Sequence, residues 1–427
     1  MKIYSLFEIV ETAQKNSSYF REEFKNIQIK DYKNDLELLR SLPTTNHNKF
    51  WSSHRFFSNP LTTEEAHGIL FKSGGSTGNP KFSYFTSEEW NTFCEIFGWG
   101  IEQGILAEQD RVANMFYAGD LYASFLFIKD SFQAVSKKFL QLPFGGILTA
   151  PVFKQQLNDF KLTVLCGVPT AIIQLINELN ESSPECLKSI KKILYGGESM
   201  YPDQMDWLKS VIPDLKIASV GYASVDAGLL GYCSKDCEID EHRCFDSSTI
   251  MEILDEDNNE SIVESNKPGR LYVTNLTRKL MPIIRYPAGD RAVWIEPLGT
   301  KNRKFKILGR SEEAARVGTV TVDFEELRSL LQSILTDHQG FQFQMILSHI
   351  AKRDELELKI SLLTPQDVDL LKKKLMTEFL LQKPSFTEAQ KKGLVHPLKI
   401  TFCDLQHFEK NERTGKLKRI VDRRKSL

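Results

Sequence analysis

The sequence predicts an α/β protein. It has a large N-terminal unit of mixed sheets with flanking helices and a β-rich part, followed by a small α+β unit. Three observations predict this. Between about residues 110 and 220, short apolar runs alternate with amphipathic segments, the rhythm of a sheet with helices on its faces. From 250 to 310 the helical segments give way to short alternating runs separated by turns. After Gly309 two helical stripes and three strand-like runs fill about a hundred residues, the size of a small separate domain. The expected units are therefore 1–309 and 310–427.

In chain order, residues 1–60 read as helices with scattered aromatics, among them Tyr19, Phe20, Phe24, Phe50 and Trp51, expected to cover a larger core. Thr86 with Glu89 makes a capping box. Trp90, Phe93, Ile96, Phe97 and Ile101 then recur at helical spacing. Strands are predicted at RVANMFY (111–117), LTVLCGVPT (162–170), IKKILYGGESM (190–200) and KIASVGYAS (216–224), with helices at 171–180 and 203–211. In the small unit, Phe324, Leu327, Leu330, Leu331 and Ile334 form one helical stripe and Val368, Leu371, Leu375 and Phe379 another. FQFQMILSHI, ELELKISLL and LKITFCDL read as its strands. The tail from Lys410 carries eight Lys/Arg against two acids and is expected to be solvated.

Composition narrows the class. A chain of 427 residues with 41% hydrophobic and 26% charged content fits a soluble globular protein of two or three domains. A net charge of −1 gives no global electrostatic case for nucleic acid or an acidic membrane. Seven cysteines argue against a secreted disulfide framework. The N-terminus lacks a signal-peptide pattern, and no apolar run is long enough to cross a membrane. A cytoplasmic enzyme or binding protein remains, with a homodimer left open.

The stretch Phe71–Thr86, FKSGGSTGNPKFSYFT, is the strongest chemical signal. Gly74, Gly75 and Gly78 let backbone N–H groups approach a phosphate, Ser73, Ser76 and Thr77 add hydroxyl donors, and Lys81 adds a mobile positive charge. It is not the G-x-x-x-x-G-K-[ST] loop, because no Ser or Thr follows the lysine. Four further stretches join it: Tyr195–Glu198 (YGGE), Gly221–Gly228 (GYASVDAG), Arg285–Asp290 (RYPAGD) and Gly309–Gly318 (GRSEEAARVG). RTGKLKR (413–419) closes the set.

In this order and spacing the motifs resemble the adenylate-forming superfamily of acyl-CoA ligases and peptide-synthetase adenylation domains. PFGG, GVPT and YGGE look most like its phenylacetate-CoA ligase branch. The resemblance spans residues 70–420 and implies a two-step reaction. A carboxylate attacks the α-phosphorus of ATP, and a thiol then displaces AMP. It implies that Ser73, Gly74, Gly75, Ser76, Thr77, Gly78 and Lys81 cradle the β- and γ-phosphates. Gly197, Glu198 and Tyr222, with Ala223 and Ser224, would line the nucleotide base, and Asp226 would be the Mg2+-side carboxylate. Asp290 would accept from the ribose hydroxyls, Arg310 would lie near ribose or phosphate, and Glu312 would be the hinge of the small domain. Lys416 would enter from that domain to stabilise the adenylation transition state.

Some positions depart from the family pattern. The second motif ends Val225-Asp226 instead of Thr-Glu, the hinge is Glu312 beside Glu313, and the ribose motif carries Pro287 and Ala288. An aromatic, amino or amino-aryl acid is the expected substrate. Tyr117, Tyr122 and Phe144 offer rings, and Asp120 offers either a partner for an amino group or a loop cap. CoA is the expected acceptor. The alternatives are a carrier-protein pantetheine or a nucleotide-binding protein without catalysis. Cys233, Cys237, His242 and Cys244 fall within twelve residues, as C-x3-C-x4-H-x-C. They read either as a closed structural zinc site or as free thiols beside a surface histidine.

Overall fold

The computed structural model describes residues 1–51, 60–63, 67–73, 81–145, 149–310, 314–318, 320–335, 340–350, 353–363, 367–411 and 415–424. Four short helices open the chain: α1 (Leu6–Asn16), α2 (Ser18–Glu23), α3 (Asp35–Ser41) and α4 (His47–Phe50). Side-chain oxygens of Ser5, Ser17, Asn34 and Asn46 accept first-turn N–H groups. The helices cover a larger body, as expected: Phe20, Phe24, Leu38 and Phe50 pack in one cluster with Val273, Ile283, Ile284 and Tyr286. Thr45 ties the segment down, donating its N–H to the Arg285 carbonyl (2.9 Å) and its hydroxyl to that of Ile284 (2.6 Å).

Next come β1 (Gly68–Ser73) and β2 (Lys81–Thr86), an antiparallel pair that sets Ser73 opposite Lys81. The helix α5 (Ser87–Glu102) opens with the predicted Thr86/Glu89 capping box. There follow β3 (Arg111–Asn114), α6 (Ser124–Gln133), β4 (Leu140–Pro143), α7 (Ala150–Phe160), β5 (Val164–Gly167), α8 (Pro169–Ser182), β6 (Lys192–Tyr195), α9 (Pro202–Val211) and β7 (Lys216–Ser219). The strands β3 to β7 make one parallel sheet in the order β4-β3-β5-β6-β7. Alternate residues feed its two faces. Val112, Val164, Cys166 and Leu194 pack with Phe93, Phe97, Phe127 and Ile128 of α5 and α6. Ala113, Leu165, Ile193 and Tyr195 pack with Phe153, Ile172, Met205 and Leu208 of α7, α8 and α9. Burial on both faces explains why these strands read as continuous apolar runs.

The predicted strand 216–224 is two strands. β7 stays in the parallel sheet, whereas β8 (Tyr222–Ser224) pairs antiparallel with β9 (Gly228–Gly231). Gly221, at φ +130°, makes the change of direction, and a Cβ there would lie 2.6 Å from the Phe97 ring. The β-rich part is a five-stranded antiparallel sheet of β10 (Glu241–Arg243), β11 (Thr249–Leu254), β12 (Gly269–Asn275), β13 (Tyr286–Trp294) and β14 (Lys304–Arg310), ordered β10-β14-β13-β12-β11.

The remaining elements are β15 (Ala314–Val317), β16 (Val320–Asp323), α10 (Phe324–Ile334), β17 (Phe341–Ile350), β18 (Arg353–Leu362), α11 (Val368–Gln382), α12 (Pro384–Lys391), β19 (Lys399–Phe402) and β20 (Ile420–Asp422). A sheet ordered β19-β18-β17-β20 packs with these helices around an apolar cluster running from Ala315 to Ile400. The tail is not simply solvated, contrary to its charge pattern. β20 pairs parallel with β17, and Lys410 donates to Gln174 Oε1 of α8 at 2.6 Å. Main-chain pairing and side-chain stems hold a basic segment that composition alone assigns to solvent. Among the described residues no helix is long and apolar enough to cross a membrane.

Candidate active site

The carboxyl ends of β5, β6 and β7 point toward one region, where open α/β sheets bind ligands. Into it the tertiary structure carries residues from five of the predicted stretches. Lys81, at the start of β2, places Nζ 3.1 Å from Oδ2 of Asp226. Asp226 also accepts from Ser224 Oγ (2.5 Å) and from the Tyr286 hydroxyl (3.1 Å), which in turn accepts from Trp51 Nε1 (2.9 Å). Burial pushes the Asp226 carboxyl up, but the Lys81 charge and the hydrogen bonds from Ser224, Lys81 and Tyr286 outweigh it, holding the group well below the usual carboxylate range. Asp226 is thus a fixed anion.

On β13, Asp290 is buried and accepts a hydrogen bond from the Tyr222 hydroxyl; its ladder partner on β14 is Arg310. The Tyr222 ring lies beside those of His242 (5.7 Å) and Phe305 (6.3 Å). Ala223 lies between Tyr222 and Ser224 on β8 and packs against the core under α5.

The third cluster joins the two ends of the chain. Gly197 follows β6 at φ +79°, and a Cβ built there would lie 2.8 Å from the Lys416 ammonium nitrogen. The same nitrogen stands 5.8 Å from the centre of the Tyr122 ring, whose neighbour at 5.9 Å is Tyr117. Glu198 accepts from Thr170 N (3.2 Å) and Oγ1 (2.7 Å) through Oε2, and from Leu417 N (3.0 Å) through Oε1.

Other predicted residues stand apart. The Asp120 carboxylate, expected to meet a substrate amine or cap a loop, is held by Lys72 Nζ at 2.7 Å and 2.8 Å. Phe144 packs toward the α7 side of the sheet, 5.6 Å from Phe153, instead of joining Tyr117 and Tyr122. Gly74, Gly75, Ser76, Thr77, Gly78 and Glu312 lie outside the described residues. Ser73 ends β1.

The zinc expectation is not supported. Among the described residues no three His, Cys, Asp or Glu side chains are grouped to hold a metal. Buried His242 turns its Nε2 to Ser219 Oγ (3.0 Å), and burial lowers its pKa to about 4. Buried Cys244 sits 3.5 Å from Met251 Sδ in an apolar cluster with Ile253 and Leu271. Cys237 lies 3.4 Å from Ser234 Oγ. Closeness in sequence did not make the four side chains converge, because Tyr232 and Arg243 pair across strands and draw His242 and Cys244 into the sheet.

Two groups around Asp226 escape a reading of the sequence. Arg278 is fully buried over the Phe85 ring (4.0 Å) and donates to the carbonyls of Tyr84 (2.9 Å) and Val225 (3.3 Å). Burial lowers its pKa to about 10. It braces the Asp226 loop against β2. Tyr286 is the second. Neither belongs to a periodic pattern; the available signals were the apolar run LMPII (280–284) near Arg278 and the place of Tyr286 inside RYPAGD.

Mg2+ fits this site by its donor set. Asp226 is one ionised carboxylate without a protein cage, the number Mg2+ ordinarily takes when substrate phosphates and water complete its shell. The site sets a fixed anion beside a lysine, a buried carboxylate under a tyrosine and a second lysine near a strand end, an arrangement suited to a nucleotide-dependent group-transfer enzyme. The chain belongs to the AMP-binding enzyme family, whose model matches residues 17–277. It is 24% identical over 410 residues to a phenylacetate-coenzyme A ligase of Thermus thermophilus, covering 91% of this chain and 88% of that one. Over 244 residues it is 26% identical to indoleacetate–lysine synthetase of Pseudomonas savastanoi, about half of each chain (54% and 55%). Its fold matches a 2-hydroxyisobutyryl-CoA ligase structure in the postadenylation state with 2-HIB-AMP, at TM-score 0.75 and 16% identity, covering 99% of this chain and 88% of that one.

Proposed function

We propose that the chain activates a carboxylic acid with ATP and transfers the acyl group to the thiol of CoA. A carboxylate oxygen attacks the α-phosphorus, the bond to pyrophosphate breaks, and an acyl-adenylate forms. The thiol sulfur then attacks the acyl carbon, its proton is lost, and AMP leaves. The observation that carries this reading is the Lys416 ammonium seated against Gly197 at the end of β6, on the same sheet edge from which Tyr222 and Asp226 follow. A phosphoryl-type transfer depends mainly on positioning and charge stabilisation, and two lysines from opposite ends of the chain supply both.

In this reading Asp226 would hold Mg2+ together with the nucleotide phosphates, and the ion would offset charge developing on them. Lys81, Ser73 and the Gly74–Gly78 loop bind the phosphates. Asp290 takes the ribose hydroxyls in place of the Tyr222 hydroxyl, with Arg310 close by in the ladder. Residues 310–427 move as one unit about Glu312 between the half-reactions; their separate apolar cluster supports this. The paired rings of Tyr117 and Tyr122 beside Lys416 favour an aromatic acid.

A second reading gives the acyl group to an amine, forming an amide. The match to indoleacetate–lysine synthetase favours it. The test is acid-dependent exchange of labelled pyrophosphate into ATP across an acid panel, followed by product analysis with CoA, a pantetheinylated carrier protein and lysine. Thioester formation with CoA supports the main reading. Amide formation without thioester supports the second. No exchange with any acid refutes both.

A further inference from the structure

Glu198 makes a contact that spans the chain. Its carboxylate bridges two segments 247 residues apart in sequence, Thr170 at the start of α8 and Leu417 in the C-terminal segment. One oxygen is committed to the large unit, accepting both the Thr170 N–H and its hydroxyl. That leaves the other aimed at the C-terminal segment, where it accepts the N–H of the residue next to Lys416. Within that segment Asn411 N donates to the Lys416 carbonyl (2.8 Å) and Gly415 N to the Asn411 carbonyl (2.9 Å), and Leu417 is bridged to Lys410, so Lys416 and Leu417 are tied back onto 410–411. Gly197 beside it leaves the ammonium room, since a Cβ there would lie 2.8 Å from the Lys416 nitrogen and displace it. Two flanking contacts follow the same seam, Lys410 on Gln174 and Arg419 with Tyr201 on Glu325.

We propose that Glu198 is a positioning residue. Its carboxylate seats the Lys416–Leu417 segment beside the end of β6 and so sets where the Lys416 ammonium stands. This rests on the ligase reading for the role of Lys416. A carboxylate suits the task because both of its oxygens accept; a carboxamide has one acceptor oxygen and one NH2 donor, so one of the N–H groups of Thr170 and Leu417 would face a donor. Charge also strengthens both bonds. The contact belongs to the arrangement that brings Lys416 to the end of β6, so in the ligase reading Glu198 acts on the adenylation step.

The test compares wild type with Glu198→Gln and Glu198→Ala in the full chain. Amide hydrogen exchange is read at Leu417, with Ile193 and Leu194 of β6 as the check on folding. Both variants should raise Leu417 exchange about tenfold or more and leave β6 unchanged. With phenylacetate as the probe acid, ATP–pyrophosphate exchange should fall about tenfold or more, while supplied phenylacetyl-adenylate is converted to its CoA thioester within about twofold of wild type. Unchanged Leu417 exchange, or equal loss in both half-reactions, overturns the proposal. The exchange measurement uses no substrate. A wild type inert to every acid, with Leu417 still responding, refutes the ligase reading and leaves the seating contact standing.

Discussion

Replacing Lys81 by methionine should reverse the pH dependence of stability below neutrality. The ammonium lies 3.1 Å from Asp226 Oδ2, with the two side chains 19% and 17% exposed. At an effective dielectric of about 20 their attraction is on the order of 5 kcal/mol. Partial exposure and the remaining bonds from Ser224 and Tyr286 leave a net loss of about 3 kcal/mol, the low end for breaking a buried pair. The substitution also removes the ammonium that stands 5.7 Å from the centre of the Trp51 ring. In wild type the folded-state pKa of Asp226 is depressed, so its contribution is present above the unfolded value of about 3.9 and is lost as pH falls below it. In the variant burial dominates and raises that pKa, so the folded state binds the extra proton. Stability then falls as pH rises from 5 to 8, by about 1.4 kcal/mol per unit of upward shift spanned. Urea unfolding of both proteins at pH 5 and pH 8, followed by tryptophan fluorescence, reads this directly. A loss that is equal at the two pH values would refute the assignment of Lys81 as the group that keeps Asp226 ionised.

Three further outcomes are expected. Lys416→Ala should slow pyrophosphate exchange about 10²–10³-fold, the effect of removing one transition-state donor, with ATP affinity by calorimetry little changed. An unaltered exchange rate would remove Lys416 from the reaction. Tyr222→Phe deletes the donor to the buried Asp290 carboxylate and should lower stability by about 1.5–3 kcal/mol in urea titration; a change under about 0.5 kcal/mol would show that the bond contributes little. A zinc chelator should leave the melting temperature unchanged, since Cys233, Cys237, His242 and Cys244 are not gathered about one point. A drop of several degrees would reverse that conclusion.

The parts legible in the sequence are those set by local rules. The Thr86/Glu89 capping box, the apolar strands at 164–167 and 192–195 and the helical stripe Phe324–Ile334 all follow from spacing over a few residues, and all are present. The break at Gly221 was hidden because the strand pattern runs on through it; the steric reason is the Phe97 ring, 124 residues earlier. The cysteine–histidine group shows the opposite error. Sequence proximity suggested convergence, but side-chain direction was set by the pairing of Tyr232 with Arg243 and by Ser219.

The order of its motifs places the chain among AMP-binding enzymes, and residue type alone names Lys81, Asp226, Asp290 and Lys416 as carriers of charge. Which charges meet was decided by the tertiary structure. Lys81 finds Asp226 145 residues away, and Glu198 finds the segment beside Lys416 219 residues away. Contacts of that separation depend on the end-on geometry of β6 and the docking of a second apolar core, neither of which leaves a local periodic trace. The same geometry shares the two oxygens of Glu198 between α8 and the tail, a contact between distant segments that the motif YGGE by itself does not show.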